Sequence, residues 1–419
     1  MSMRLLSGLL KRFVEKGKLT VIDTTGARSV FGSGQDGPSV TAKLHDEKTT
    51  TKLFWNPELA FPEAYMDGRI TFEEGSTVYD LLLLFSLNRK ALGGHPVQQA
   101  LRNGWRAVRR WQQQNSVAQA SKNIKHHYDL SPEFYQLWLD PTMNYSCAYY
   151  THPENSLEQA QQDKMRHIAA KLRLQPGMSV AEVGSGWGGL ACYLAKNFGV
   201  TITSVSLSPE QIRIAKQRAI DMGVADKVTF LEQDYRNMSG AYDRVISIAM
   251  MEAIGIGNFD NYFAKLKSLM KPGGFGLVHA IGRMSPPGTT APFIRKYIFP
   301  GGYVPAISEV FASTERTGTW VADCEVLRLH YYWTLKAWRE NFAAIRPQAA
   351  AMYDERFCRM WEFYLISCEL GFLHGSNMIY QILISERRDD VPVLRDFIQD
   401  DERAPVSYTH LRAHETEAD

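Results

Sequence analysis

A glycine-rich loop is the stretch of this sequence best suited to holding a ligand. Residues 181–190 read AEVGSGWGGL, and Gly184, Gly186 and Gly188 give a backbone that can turn tightly and approach a bound molecule closely. The spacing G-x-G-x-x-G fits a dinucleotide-binding turn, whereas E-x-G-x-G-x-G, begun by Glu182, fits a loop for S-adenosylmethionine (SAM). A single glycine motif is weak support for either ligand, so the neighbouring residues must decide.

The segment after the loop leaves both ligands open. A dinucleotide fold places an acidic residue about 20 positions after the glycines, where it binds the ribose hydroxyls. Here the second predicted strand ends at Ser206-Leu207-Ser208, and the next acid is Glu210, inside the following helix. Many SAM enzymes carry an acid at the same place, so its absence does not separate the two classes.

Two other segments favour SAM. LMKPGG (269–274) and EQDYRNM (232–238) are typical together of SAM methyltransferases and not of nucleotide dehydrogenases. A sulfonium cation is attracted by carboxylates and aromatic faces. The residues that could supply them are Glu182, Trp187, Asp234 and Tyr235. The alternative for Glu182 is a carboxylate satisfied by hydrogen bonds beside the loop.

The elements that must position these residues alternate along 176–280. Apolar, β-branched stretches such as AEVGSG, VTITSVSLS and AYDRVISIAM predict buried strands, and amphipathic stretches between them predict helices. This alternation predicts a doubly wound α/β fold with a parallel sheet. Ligands of such sheets bind at the carboxyl ends of the strands, near the switch in strand order.

The N-terminal part is predicted to be separate and basic. Residues 1–90 indicate a small α+β domain, and residues 91–125 indicate a basic, tryptophan-bearing linker helix. Residues 1–125 contain 18 Lys and Arg against 11 Asp and Glu, although the whole chain has a net charge of only +2. This asymmetry points to an anionic partner. The Arg and Trp side chains of the linker could lie on lipid headgroups or pack on the domain behind them, and no nucleic-acid motif accompanies the charge.

Cysteine use and hydropathy bound the cellular setting. The five cysteines show neither CxxC pairs nor zinc-ligand spacing, which predicts reduced thiols in the cytoplasm and no metal site. The apolar runs are too short for a signal peptide or a membrane span, so any membrane contact is expected to be peripheral. Residues 404–419 are predicted to be a remnant that does not belong to the fold.

Four further segments carry aromatic and cysteine motifs: HHYDLSPEFYQLWLDPTMNYSCAYY (126–150), FPGGYVP (299–305), HYYWTLKAW (330–338) and LISCELGF (365–372). With the glycine loop, they closely resemble the cyclopropane fatty acid synthase family, including its mycolic acid branch. The resemblance implies a SAM-dependent catalytic domain over 126–403 on a seven-stranded, Rossmann-like sheet. It also implies a lid insertion at about 283–305 and an N-terminal domain that contacts lipid or a second subunit.

The chemistry that the resemblance implies is transfer of a methylene from SAM to the cis double bond of an unsaturated phospholipid acyl chain. The alkene attacks the sulfonium methyl, a carbocation forms on the chain, and a base removes a proton as the ring closes. The pocket must be dry because water would trap the cation. In this family the base is a bicarbonate ion, and the residues implied to hold it are Cys147, Glu252, His279, Tyr331 and Cys368.

Residue type alone gives these side chains other interpretations. Cys147 and Cys368 could be buried small hydrophobes, and His279 could be bonded to backbone. The sequence Glu252-Ala253 also departs from the family, in which many members have Glu-His. That departure leaves the support of Glu252 open.

For SAM, the resemblance implies contacts beyond the loop, from residues that replace the missing acid or stack on the adenine. Neutral hydroxyl and amide groups can bind ribose hydroxyls, and Tyr235 stands where many relatives have Trp. The implied set is Tyr145, Ser146, Glu182, Gly184, Gly186, Gly188, Ser206, Gln211, Asp234 and Tyr235.

The sequence therefore predicts a cyclopropane-fatty-acyl-phospholipid synthase that is cytoplasmic, attached peripherally to the inner face of the membrane, and a homodimer. Its expected cofactors are SAM and bicarbonate, with no metal and no nucleic-acid partner. The alternatives are a SAM-dependent lipid methyltransferase that makes methyl- or methylene-branched chains, and a lipid-binding protein that has lost the chemistry.

Overall fold

The computed structural model describes residues 2–90 and 130–404, which form two compact units. The first contains residues 2–90, 284–304 and 331–377, and the second contains residues 130–283, 305–330 and 378–404. The predicted linker helix at 91–125 and nearly all of the predicted remnant lie outside the described residues. Two segments of the predicted catalytic range, 284–304 and 331–377, fold with the N-terminal residues.

A four-stranded sheet organises the N-terminal part of the first unit. Strands β1 (Lys18–Ile22) and β2 (Arg28–Phe31) form an antiparallel hairpin, as the alternation in the sequence predicts, and β1 also pairs in parallel with β3 (Ser39–Leu44). Strand β4 (Ile70–Glu73) closes the order β2-β1-β3-β4. The helices are Ser2–Phe13, Glu47–Trp55, Pro57–Met66 and Val78–Leu87.

The later segments of the first unit supply most of its helical mass. They contain a π-helical turn at Ile294–Ile298 and the helices His330–Met352 and Glu355–Leu373. Phe363 joins the segments, because its ring lies 5.7 Å from the ring of Phe61 and 4.8 Å from that of Phe293. The predicted lid at 283–305 is therefore packed by aromatic contacts inside this unit.

The second unit is built on a seven-stranded sheet in the order β10-β11-β9-β8-β5-β6-β7. Its strands are β5 (Ser179–Val183), β6 (Thr201–Ser206), β7 (Val228–Glu232), β8 (Tyr242–Ile248), β9 (Met270–Arg283), β10 (Trp320–Val326) and β11 (Asn377–Ser385). Strands β7, β6, β5, β8 and β9 are parallel, whereas β10 and β11 pair antiparallel. The predicted α/β fold class is confirmed.

Helices of the second unit alternate with the strands, as the sequence pattern indicates. They are Pro132–Gln136, Leu157–Lys171, Gly189–Phe198, Pro209–Asp221, Phe259–Ser268, Ile307–Thr317 and Asp396–Arg403. The core between helices and sheet is apolar and includes Val180, Ile202 and Ile246 on adjacent strands. The helices of the described ranges are too short or too polar to cross a membrane.

The strand order fixes where a ligand binds. Strand β5 leads through the glycine loop to β6 on one side, but its other neighbour is β8, so the order reverses between β5 and β8. Helices start or end on opposite faces at such a switch, which leaves a crevice at the carboxyl ends of the strands. The glycine loop and the segment containing Glu252 follow these two strands.

Candidate active site

The glycine loop turns sharply after β5 because three of its residues have left-handed backbone angles. The φ angles are +98° at Gly184, +49° at Gly186 and +79° at Gly188. A Cβ at Gly184 would lie 2.6 Å from the Cγ atom of Met250, and one at Gly188 would lie 2.8 Å from the Cβ atom of Ala215. No atom of the described residues lies within 4 Å of a Cβ built at Gly186, so in this part of the chain the loop is closed against protein at both ends and open at its centre.

Ser206 and Gln211 form a polar pair beside the loop. The Ser206 hydroxyl donates to Gln211 Oε1 at 2.9 Å, which fixes the orientation of the amide. Gln211 is buried, and its Nε2 has no hydrogen-bond partner in the described part of the chain. A buried donor without a partner is costly, and ligand hydroxyls at this place would satisfy it. The pair thus fits the predicted ribose contact.

Asp234 and Tyr235 follow β7. Burial opposes ionisation of Asp234, but bonds from the Arg236 guanidinium and amide outweigh it and lower the pKa of the carboxyl. Asp234 is therefore a fixed anion at neutral pH. Tyr235 is buried, its pKa is raised to about 12, and Arg236 lies 5.7 Å from its ring centroid.

Glu182 is held inside the sheet layer. It is 3% exposed, and its Oε2 accepts a hydrogen bond from the hydroxyl of Ser204 on the neighbouring strand β6. Burial raises its pKa to about 8, so it is mostly protonated at neutral pH. This geometry favours the alternative of a satisfied carboxylate over direct charge attraction to a sulfonium.

Aromatic rings flank the loop. The ring of Trp187, within the loop, lies 4.8 Å from that of Tyr135, which in turn lies 5.5 Å from the ring of Tyr145. Trp138 meets Tyr145 edge-on at 5.7 Å. Offset rings at these distances stabilise one another. The structure thereby brings Tyr145 and Trp187 into one aromatic cluster, and this cluster also contains Tyr135 and Trp138, for which no role was predicted.

The segment that follows Tyr145 is held by one helix. Helix Leu157–Lys171 places the Gln161 amide nitrogen 3.0 Å from the carbonyl of Ser146 and the Lys164 ammonium 3.0 Å from the Ser146 hydroxyl. Cys147 is 1% exposed, and its thiol donates to the Ala148 carbonyl. The predictions from sequence did not include Gln161 and Lys164. Helical spacing could have indicated that they are buried, because these two polar residues, three positions apart, stand on the helix face that carries the apolar Ile168.

Glu252 and His279 each have a buried polar atom without a partner. Glu252 lies after β8, and its Oε1 accepts from the Ile281 amide at 2.6 Å. The residue as a whole is partly exposed, but its Oε2 is buried and lacks a hydrogen-bond partner among the described residues. Burial raises the pKa of Glu252 to about 7, so the neutral acid and the carboxylate are both accessible near neutral pH.

His279 on β9 is neutral. Burial, followed by the charges of Lys164, Lys171 and His167, holds its pKa well below the usual range. The Gln381 amide nitrogen lies 3.2 Å from Nδ1, and since an amide nitrogen donates, Nδ1 accepts and Nε2 carries the proton. That buried Nε2 finds no acceptor among the described residues. Strand β9 connects the two residues, because it carries His279 and, two positions later, Ile281, whose amide binds Glu252.

The other two residues predicted for the anion cage belong to the first unit. Tyr331 lies in helix His330–Met352, with its ring 4.7 Å from that of Phe372. Cys368 lies in helix Glu355–Leu373, and burial raises the pKa of its thiol to about 12. The structure thus groups Cys147, Glu252 and His279 in one unit, and the cage roles of all five residues stay predictions.

A buried ionic cluster anchors the helix that carries Lys164. Glu325 Oε2 lies 2.8 Å from His167 Nε2 and 2.5 Å from the fully buried Lys171 ammonium. Burial opposes protonation of His167, but hydrogen bonds to Glu325 and Glu402 outweigh it and raise its pKa. The stability contributed by protonated His167 is complete below pH 6.5 and is lost as pH rises through the raised pKa.

We expect Glu325→Gln to lower the free energy of unfolding by about 2 kcal/mol, because it leaves Lys171 buried without its counter-charge. Urea unfolding between pH 6 and 8 measures this, and the variant should also lose part of the pH dependence that His167 gives. Glu210→Gln is the control, because Glu210 pairs with Arg213 on the surface and such pairs contribute little. Equal losses in the two variants would contradict this account.

The sheet order and the loop at its switch point define the class, a SAM-dependent methyltransferase. Two solved structures share the fold, and each match covers 63% of this chain and 97% of the other chain. One is a cyclopropane synthase from Mycobacterium tuberculosis, with a TM-score of 0.61 and 29% identity. The other is a mycolic acid cyclopropane synthase complexed with SAH and CTAB, with a TM-score of 0.60 and 30% identity. A family profile described as mycolic acid cyclopropane synthetase matches residues 115–382. The chain belongs to this family, as its resemblance implied.

Sequence relatives agree with this membership. The chain is 41% identical over 286 residues to a probable fatty acid methyltransferase of Pseudomonas putida, an alignment that covers 65% of this chain and 72% of the relative. It is 40% identical over 261 residues to the cyclopropane-fatty-acyl-phospholipid synthase of Escherichia coli strain K12, with 62% and 67% covered. The general function of a SAM-dependent enzyme of cyclopropane fatty acid synthesis follows from these relatives and the fold.

Proposed function

We propose that this protein is a cyclopropane-fatty-acyl-phospholipid synthase that uses an enclosed bicarbonate ion as its base. The observation that carries the proposal is a pair of buried polar atoms, Glu252 Oε2 and His279 Nε2, that have no hydrogen-bond partner among residues 2–90 and 130–404. The two atoms belong to segments that are linked through Ile281. Buried polar groups are normally hydrogen-bonded. A small anion beside these two atoms is the ligand that the pair fits.

SAM, when bound, supplies an electrophilic methyl group. The open centre of the loop at Gly186, the partnerless Gln211 amide and the Ser146 hydroxyl fit its adenosine and methionine parts. Ser206 and Gln211 bind the ribose hydroxyls, and Tyr235 packs on the adenine. Asp234, which is held by Arg236, contributes negative charge to the binding site. Glu182 supports the loop through its hydrogen bond with Ser204.

Glu252 and His279 orient the anion that accepts the proton. His279 donates from Nε2, and the protonated form of Glu252 donates from Oε2, because its Oε1 is already engaged by the Ile281 amide. An anion nearby raises the pKa of Glu252 further and keeps it neutral. Cys147, in the same unit, joins the cage in this proposal, and for Tyr331 and Cys368 we keep the hydrogen-bonding role that the family resemblance implies.

The substrate we propose is a phospholipid with a cis-unsaturated acyl chain, reached by peripheral contact with the inner face of the membrane. The net charge of residues 1–125 supports attraction to an anionic surface, and the name of the E. coli relative supports a phospholipid substrate. We place the protein in the cytoplasm as a homodimer without a nucleic-acid partner. Flotation with anionic and neutral vesicles tests the membrane contact, and light scattering tests the homodimer.

Product analysis tests the function directly. With methyl-labelled SAM, bicarbonate and vesicles of unsaturated phospholipid, we expect fatty acids that carry a labelled cyclopropane ring in place of the double bond. Depletion of bicarbonate should lower the yield about tenfold or more, as loss of a positioned base does. Fully saturated vesicles are the control. SAM binding without any product would instead indicate a lipid-binding protein, and a yield independent of bicarbonate would remove the anion from the proposal.

A second candidate is a fatty acid methyltransferase that forms methyl- or methylene-branched chains. Relatives with such names favour it, including the Pseudomonas protein and the tuberculostearic acid methyltransferase of Mycobacterium tuberculosis, 38% identical over 339 residues and 77% of this chain. Ala253 stands where many family members have histidine. This difference is consistent with a reaction in which the carbocation loses a different proton or takes up hydride instead of closing the ring. Mass spectrometry separates the products, because a methylene branch takes up hydrogen under mild hydrogenation and a cyclopropane does not.

A further inference from the structure

Lys164 is a buried charged residue of the second unit that the proposed reaction does not use. Its side chain is 1% exposed, in the middle of helix Leu157–Lys171. Its single hydrogen bond within the described ranges goes to the Ser146 hydroxyl at 3.0 Å. The other buried lysine of this helix, Lys171, has a carboxylate partner in Glu325. Within the described ranges, Lys164 therefore has no carboxylate at ion-pair distance, although buried cations normally have one.

The hydroxyl that Lys164 contacts is poised to donate. Because an ammonium has no lone pair, Ser146 Oγ accepts from Lys164, and its own proton stays available for an acceptor. Accepting a bond from a cation polarises the O–H group and strengthens its donation. The Gln161 amide holds the Ser146 carbonyl from the same helix, so the hydroxyl has a fixed position.

The turn that leads to Ser146 lies beside the start of the loop helix. A Cβ at Gly189 would lie 2.3 Å from the carbonyl of Thr142, so the turn before Ser146 packs directly on the first residue of helix Gly189–Phe198. A ligand in the glycine loop is therefore within reach of this segment. SAM has one anionic group, the carboxylate of its methionine part; its sulfonium and ammonium are cations and its adenosine is neutral.

We propose that Lys164 is a positioning residue for the methionine carboxylate of SAM, which it holds through the Ser146 hydroxyl and by its charge. This inference rests on the proposed binding of SAM in the loop. Ionisable groups of the protein near Lys164 change its pKa, but in this proposal they do not take the place of the SAM carboxylate. Burial lowers the pKa of Lys164 to about 8, and the Asp140 carboxyl and the Cys147 thiol oppose this shift. His279, on β9, is neutral.

The test compares two ligands, S-adenosylhomocysteine (SAH) and 5′-methylthioadenosine. Both contain the adenosine, but only SAH has the amino-acid part with its carboxylate. In Lys164→Met, whose side chain has a similar length and no charge, we expect about tenfold weaker SAH binding by calorimetry, as for loss of a charge-assisted hydrogen bond. Binding of methylthioadenosine should be unchanged. Lys171→Met is the matched control, and it should lower stability without changing the ratio of the two affinities.

A pH series adds a readout that a purely structural lysine would not change. SAH affinity of the wild type should fall as pH rises through about 8, with a steeper fall than in Lys164→Met, where Glu182 and the amino group of SAH still titrate but residue 164 does not. If the variant does not fold, the wild type is compared with both ligands, because the affinity for methylthioadenosine, which has no carboxylate, should fall less over this pH range than the affinity for SAH. Equal loss of both ligands, or a higher bicarbonate requirement with unchanged SAH affinity, would overturn the inference. Wild type that binds no SAH would instead overturn the proposed function.

Discussion

Glu252→Ala is expected to lower turnover by about 100-fold or more while leaving SAH affinity within about twofold of the wild type. Removal of one preorganised donor from a buried site costs this much in other enzymes. In this chain the variant removes the Oε2 donor and also leaves the Ile281 amide without its acceptor. Steady-state rates with labelled SAM and calorimetry with SAH measure the two quantities separately.

Glu252→Gln separates hydrogen bonding from titration. The amide keeps an acceptor for Ile281 and a donor near the position of Oε2, so we expect a loss of only about tenfold, the difference between a carboxylic acid and a weaker amide donor. The pKa of Glu252 is about 7 without the anion, and the bound anion raises it further, so in the wild type the donor is lost, and turnover should fall, at a pH above 7. The Gln variant should lack this fall. A Gln variant as inactive as the Ala variant would show that the carboxylate, and not the acid, is required.

Gly186→Val is expected to weaken SAH binding by about 100-fold, or about 2.7 kcal/mol. The backbone at Gly186 has φ +49°, and a Cβ there would enter space that the protein leaves open. In the proposed function this space belongs to SAM, so the two added methyl groups compete with the ligand. Calorimetry with SAH measures the effect, and urea unfolding measures the accompanying loss of stability.

Gly223→Val is the matched control for Gly186→Val. Gly223 has φ +69° and also has nothing within 4 Å of a built Cβ, but it lies after helix Pro209–Asp221 and away from the loop. Both variants should lose similar stability, about 1–2 kcal/mol from the left-handed backbone. Only Gly186→Val should lose SAH affinity. Equal affinity losses would mean that backbone strain, and not contact with the ligand, explains the result.

The tertiary structure changes the interpretation of several predicted site residues. Glu182 is attractive in the sequence because an acid begins the glycine motif, yet its contact with Ser204 on the next strand and its raised pKa make it a supporting residue. Asp234 keeps its charge because Arg236, two residues later, binds it through its guanidinium and its amide. The Glu182 contact is not visible in residue order, because it depends on the pairing of two strands. The Asp234 contact is local in sequence, but the burial of this carboxylate depends on the fold.

Local periodicity and short motifs are enough to predict the alternation of strands and helices over 176–280, the glycine loop and the family. They do not predict that residues 284–304 and 331–377 fold with the N-terminal unit, which is seen in the three-dimensional structure. It also decided that Lys164 reaches Ser146, 18 positions away, and that Gln381 orients His279, 102 positions away. The physical reason is that packing and loop closure bring distant residues together, and a linear pattern does not encode these contacts.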